Sequence, residues 1–122
     1  MEWKIAVHRD EKYIEVLTRG TADRESSLNM AKDIADTMKR NRLTKALIDH
    51  RGINSVSGEI VEIYERPKIL KFIGLILRIQ IAEIINPEHK DHFEFLETVF
   101  VNRGYSFSIF YKKDKAFEWL LE

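Results

Sequence analysis

Residues 78 to 104 read Arg-Ile-Gln-Ile-Ala-Glu-Ile-Ile-Asn-Pro-Glu-His-Lys-Asp-His-Phe-Glu-Phe-Leu-Glu-Thr-Val-Phe-Val-Asn-Arg-Gly, and this stretch decides the fold class. Arg78 to Ile85 is a β-branched run with the composition of a strand. Asn86-Pro87-Glu88 then supplies a helix start: a capping side chain, a proline at the first helical position and an acid near the positive end of the helix dipole. Phe93, Leu96, Val99 and Phe100 recur at helical spacing, and Arg103-Gly104 closes the helix with a cation on its last carbonyls and a residue able to turn left-handed. A strand that feeds a helix directly is the repeating unit of an α/β sheet.

The same unit recurs on either side. Upstream, residues 3 to 8 and 13 to 19 are rich in Trp, Ile, Val, Tyr and Leu and flank the polar Arg9-Asp10-Glu11-Lys12, which predicts a β-hairpin. Leu28, Ala31, Ile34, Ala35 and Met38 mark a first helix after Asp23 as its cap, with Asn41 at its far end. Lys45 to Asp49 is a short apolar strand. Ser57-Gly58-Glu59 begins a second helical pattern carried by Ile60, Val61, Ile63 and Tyr64; Pro67 bends or restarts it and Gly74 suits its end. Downstream, Phe107 to Tyr111 is a last strand, and Asp114 is placed to cap a final helix with Phe117, Leu120 and Leu121 on its apolar side. The predicted order is β-β-α-β-α-β-α-β-α, a mostly parallel sheet with an N-terminal hairpin and four helices.

Composition narrows what such a sheet does. The 122 residues form one domain, 1 to 122, and at 44% hydrophobic and 33% charged they have globular usage. Twenty basic and twenty acidic side chains cancel, so no overall field draws in nucleic acid, and none is expected as a partner. The absence of cysteine removes disulfides, thiolate catalysis and cysteine zinc sites. Nothing in the first residues reads as a signal peptide, and the expected compartment is the cytoplasm. The most apolar stretch, Ile69 to Ile85, is broken by Lys71, Arg78, Gln80 and Glu83 and is too short to span a bilayer. Five glycines form no phosphate loop or dinucleotide fingerprint, and no nucleophile elbow is present.

Three stretches, together with the element order, carry a resemblance: Ala46-Leu47-Ile48-Asp49-His50-Arg51-Gly52, Tyr64-Glu65-Arg66-Pro67, and Ile85-Asn86-Pro87-Glu88-His89 with Asn102-Arg103-Gly104. Over nearly its whole length the chain resembles the SpoIIAA-like, or STAS-like, small bacterial domains, which are related to anti-sigma-factor antagonists and to the STAS tails of sulphate transporters. The resemblance implies a four-turn βα superhelix with successive parallel strands side by side, the first strand added antiparallel, and the loops after strands 3 and 4 as neighbours. It also implies a regulatory or binding module that acts on a protein partner without enzymatic chemistry or cofactor. In the relatives a regulatory hydroxyl precedes a glycine where the loop after strand 3 enters the next helix. Ser57-Gly58 takes that place here, with Ser55 nearby, although Asn54-Ser55-Val56-Ser57-Gly58 lacks the usual acid and adjacent hydroxyls. Ser57 is therefore either a phosphosite or a plain helix cap; both use the unpaired N–H groups of a helix start.

Three further constellations remain. Asp49, His50 and Arg51 leave the carboxyl end of strand 3, where open α/β sheets bind ligands; alternation turns Asp49 and Arg51 to one side, either to pair with each other or to hold an anion. His89 and His92 share a helix face near Glu88, with His50 on a neighbouring loop, but lack the spacing of a metal site, and no metal is expected. Ile69, Phe72, Ile73 and Leu75 belong to a run that is apolar in more directions than one helix face. It is either buried under the sheet or exposed as a homodimer interface, a partner groove or a surface for apolar ligands. The alternative to the partner-binding module is accordingly a carrier of a small apolar ligand or lipid.

Overall fold

The computed structural model describes residues 1–56 and 79–122. The predicted second helix and the apolar run with Ile69, Phe72, Ile73 and Leu75 lie outside the described residues, as does Ser57. The described elements are β1 (Glu2–His8), β2 (Tyr13–Ala22), α1 (Arg24–Asn41), β3 (Lys45–Val56), β4 (Gln80–Ile84), a short 3₁₀ turn (Pro87–His89), α2 (Lys90–Asn102), β5 (Ser106–Phe110) and α3 (Lys113–Leu121).

The five strands form one sheet in the order β1-β2-β3-β4-β5. β1 pairs antiparallel with β2 through the hairpin, and every later pair is parallel. Neighbours in sequence are thus neighbours in the sheet, as the βα repeat predicts, and the loop after β4 meets the end of β3: Asn86 Nδ2 donates to the carbonyl oxygens of Arg51 (3.0 Å) and Ile53 (3.5 Å).

Both faces of the sheet are covered, which is why the first half of β3 and nearly all of β4 are buried continuously rather than alternately. On one face α1 and α2 press Met30, Ile34, Met38, Phe93, Leu96 and Phe100 onto Ile14, Val16, Ile48, Ile81 and Phe107. On the other, α3 lays Ala116 and Leu120 on Leu47, Ala82 and Ile84. Burying each of these large side chains contributes about 1.5–3 kcal/mol against chain entropy. Among the described residues no helix is long and apolar enough to cross a membrane.

Local signals explain most boundaries. Asp23 caps α1 by accepting from the Ser26 N–H at 2.9 Å, and the helix ends on Arg42 in the left-handed region at φ 54°. Four details depart from the sequence expectation. The buried residues of α1 are Ser27, Met30, Ile34, Ala35, Thr37 and Met38, with Leu28 and Ala31 only half-buried. Asn86 does not cap the following helix; its amide is spent on the two β3 carbonyls, and the chain turns through a 3₁₀ step before α2 begins. Asp114 lies inside the first turn of α3, whose N-cap is Lys112. Finally, β3 runs on from Asp49 to Val56, since its polar second half is held by ladder bonds to the second half of β2 rather than by apolar packing.

The free edge at β5 is not left bare. The Ile109 N–H donates to Glu97 Oε2 of α2 at 2.9 Å, which satisfies a group that would otherwise invite another strand.

Candidate functional site

Asp49, His50 and Arg51 lie in the middle of β3 and not at its carboxyl end, because the strand runs on to Val56; their side chains split between the two faces of the sheet, and that split organises the site. Asp49 turns toward the α3 face, where Arg51 grips it with both Nε (2.9 Å) and Nη2 (2.7 Å), while the Arg51 N–H adds a third bond to Oδ1 at 3.0 Å. Burial pushes the Asp49 carboxyl up, but the Arg51 hydrogen bonds and charge, aided by Lys113, outweigh it and hold the group below the usual carboxylate range. The same contact pushes the Arg51 guanidinium up. The geometry is a bidentate ion pair, so Arg51 meets any anion with its charge already matched.

His50 points the other way, into the core beneath α1 and α2, and is 4% exposed. Its Nδ1 lies 2.8 Å from Thr18 Oγ1 on β2, and its Nε2 lies 3.2 Å from Glu83 Oε2 on β4. Thr18 and Glu83 are as deeply buried as His50, and the imidazole stacks on Phe93 with ring centroids 5.0 Å apart. Three adjacent strands thus contribute one polar residue each to a line across an otherwise apolar face.

The register makes this line possible. Glu83 sits opposite Ile48, two residues before His50, so the pair reaches diagonally across the ladder. On the β2 side the ladder is irregular between Leu17 and Arg19, which swings Thr18 onto His50. Gly52 permits that approach: a Cβ on Gly52 would collide with the Thr18 carbonyl oxygen, so only a residue without one fits.

Thr18 Oγ1 also donates to the Asp49 carbonyl oxygen at 3.2 Å. A hydroxyl, an imidazole and a carboxylate in line have the composition of a nucleophilic triad. Here, however, the hydroxyl is buried and bonded to a main-chain carbonyl, so the line is a hydrogen-bonded core network, not an activated nucleophile.

Beside the network lies a cavity of about 50 Å³ between α1, α2 and the sheet. Ile34, Ile48, Phe93 and Leu96 form much of its apolar wall, and His50 and Glu83 form part of its polar one. Glu83 Oε1 is buried and has no hydrogen-bond partner among the described residues.

The other sequence candidates are dispersed. Ser55 is exposed near the end of β3, 2.9 Å from the hydroxyl of Thr21, which also approaches Asn54 Oδ1 at 3.5 Å. His89 lies 3.7 Å from Glu88, and His92 packs edge-on against Phe93, the ring on which His50 stacks. Among the described residues no group of three His, Cys, Asp or Glu side chains could hold a metal ion. Thr18 and Glu83 were missed by sequence reasoning. Glu83 did leave a signal, as one acid inside Ile81-Ala82-Glu83-Ile84-Ile85, a strand whose neighbours are apolar on both faces; Thr18 left none.

No family model matches the sequence, and no curated protein matches it. Solved structures do. An uncharacterized protein of the DUF3478 family with a SpoIIAA-like fold, from Shewanella loihica PV-4, is similar at TM-score 0.59 and 17% identity, over 97% of this chain and 93% of that one. The anti-sigma factor antagonist SpoIIAA in its unphosphorylated form gives TM-score 0.54 at 11% identity, with 96% of each chain covered. The Bacillus cell fate determinant SpoIIAA in its phosphorylated form gives 0.52 at 13% identity, over 96% and 97%. With its strand order, its antiparallel first strand and this full-length similarity, the chain has the α/β SpoIIAA-like fold.

Proposed function

We propose that the chain is a non-enzymatic STAS-like regulatory module that acts by binding a protein partner through the region around Ser57, with Ser57 and Ser55 as the hydroxyls that carry control. The observation that supports this most is the full-length similarity to SpoIIAA, a protein seen in both unphosphorylated and phosphorylated forms. The disposition of side chains along β3 agrees with it. Asp49 and Arg51 neutralise each other and His50 is turned inward, whereas Ser55 and Thr21 present their hydroxyls at the surface. A phosphate added there would bring about two negative charges and three acceptor oxygens to an exposed strand end.

The test is mass spectrometry of the chain from its native cell, combined with comparison of its co-purified partner for wild type, Ser57→Ala, Ser57→Asp, Ser55→Ala and Ser55→Asp. One aspartate variant is expected to change partner retention at least tenfold while its alanine counterpart stays near wild type. Equal retention by all five chains, with Ser55 and Ser57 unmodified, would sink the regulatory role.

The cavity favours a second reading, a carrier of a small apolar ligand. At about 50 Å³, and with roughly 10–15 Å³ needed for each water-sized group, its described walls admit a body of about four non-hydrogen atoms rather than a lipid chain.

A further inference from the structure

The carboxylate in the cavity wall narrows what the cavity accepts. Glu83 is 4% exposed, Oε2 is engaged with His50, and Oε1 has no partner among the described residues. A buried acceptor left unsatisfied is destabilising, and native cores rarely retain one without a reason. Apart from Ser27 and the His50 ring, the rest of the described wall is apolar, so an occupant is held by shape and by this unpaired carboxylate oxygen.

Charge decides the class of donor. An ammonium ligand would have to shed its hydration shell into a largely apolar enclosure that offers it one unpaired carboxylate oxygen, which is strongly unfavourable. An anion would face the carboxylate oxygen directly. A neutral hydroxyl satisfies Oε1 and adds no charge. We propose that this cavity is a binding site for a small neutral alcohol, with an apolar body of about three carbons packed between Ile34, Ile48, Phe93 and Leu96 and its hydroxyl donating to Glu83 Oε1. The proposal rests on the carrier reading and supplies the chemistry of its ligand; Glu83 becomes the residue that selects it.

The experiment uses the whole chain, labelled on its methyl groups, titrated by NMR with 1-propanol and separately with 1-chloropropane, which has nearly the same shape but no donor. Shifts are expected at Ile34, Ile48 and Leu96, with 1-propanol binding at least tenfold more tightly, because the chloride leaves the buried acceptor unpaired. In Glu83→Gln the side-chain amide donates to His50 Nε2 and leaves its carbonyl oxygen free, so the preference is retained within about threefold. In Glu83→Met the acceptor is gone and the preference disappears. Should the methionine variant fail to fold, the wild-type comparison and the glutamine variant still decide the matter. Equal binding of the two probes to wild type would overturn the role of Glu83 while leaving the carrier reading in place. Absence of any methyl shift with either probe would overturn both.

Discussion

Replacing Gly52 with alanine tests the architecture that holds the site. A Cβ at this position lies about 1 Å inside the 3.4 Å at which contact with the Thr18 carbonyl oxygen becomes ordinary, and two more backbone atoms of β2 sit at 3.4 and 3.5 Å. All three obstacles are main chain, so no side chain can swing aside and the strands must part. Overpacking of this kind costs about 1–3 kcal/mol, and the rigidity of the obstacle argues for about 2. A shift of about 1 Å also takes Thr18 Oγ1 from 2.8 Å to beyond hydrogen-bonding range of His50 Nδ1, which adds about 1 kcal/mol. The expected loss is therefore about 3 kcal/mol. With a urea slope of about 1–3 kcal/mol per molar, the unfolding midpoint falls by about 1.5 M. The assay is urea unfolding followed by tryptophan fluorescence, with the His50 ring resonances as the local probe. Gly104→Ala is the control: its φ is +89° and nothing lies within 4 Å, so it loses only about 1 kcal/mol to backbone strain. A Gly52→Ala chain within 0.5 kcal/mol of wild type, with unchanged His50 resonances, would refute the close approach of β2 and β3 at this point.

Asp49→Asn should cost about 1–2 kcal/mol at pH 7, a figure discounted because Arg51 is half exposed. Since the folded Asp49 carboxyl is held below its ordinary value, its contribution is complete above the unfolded value near 4 and is lost as pH falls through the folded one; the wild-type advantage should therefore shrink in unfolding curves taken from pH 6 down to pH 2. An advantage that stays constant over that range would show that the pair is not the source. Asp23→Ala removes the acceptor for the Ser26 N–H and should cost about 1 kcal/mol, about 3–6 °C in melting temperature, whereas Asp23→Asn keeps the cap and melts within about 1 °C of wild type. Equal melting of the alanine and asparagine variants would mean that Asp23 does not set the start of α1.

Much of the fold was legible because its signals are local. Asp23, the spacing of Phe93, Leu96, Val99 and Phe100, and Arg103-Gly104 act within one or two helical turns, and a chain read in order contains them. The strand order followed because parallel strands joined by helices pack beside their predecessors. Alternation along β3 was enough to put Asp49 and Arg51 on one side. It did not reveal that His50 opposes them in a buried network, because a histidine leaving a strand looks the same whether its face is covered or bare.

What tertiary structure alone decided is the line through Thr18, His50 and Glu83. Its members are separated by 32 and 33 residues, and they meet only because of the β3–β4 register, the extra β3 residue where His50 and Arg51 face the single Thr18, and the missing side chain at Gly52. None of these has a periodicity or composition that sequence reading can detect. The extension of β3 to Val56 and the redirection of Asn86 belong to the same class, for both depend on backbone groups of another strand. Side-chain patterns along the chain determine which segments are strands and helices. Hydrogen bonds between segments, whose partners the linear order does not name, determine where the polar groups of this core come together.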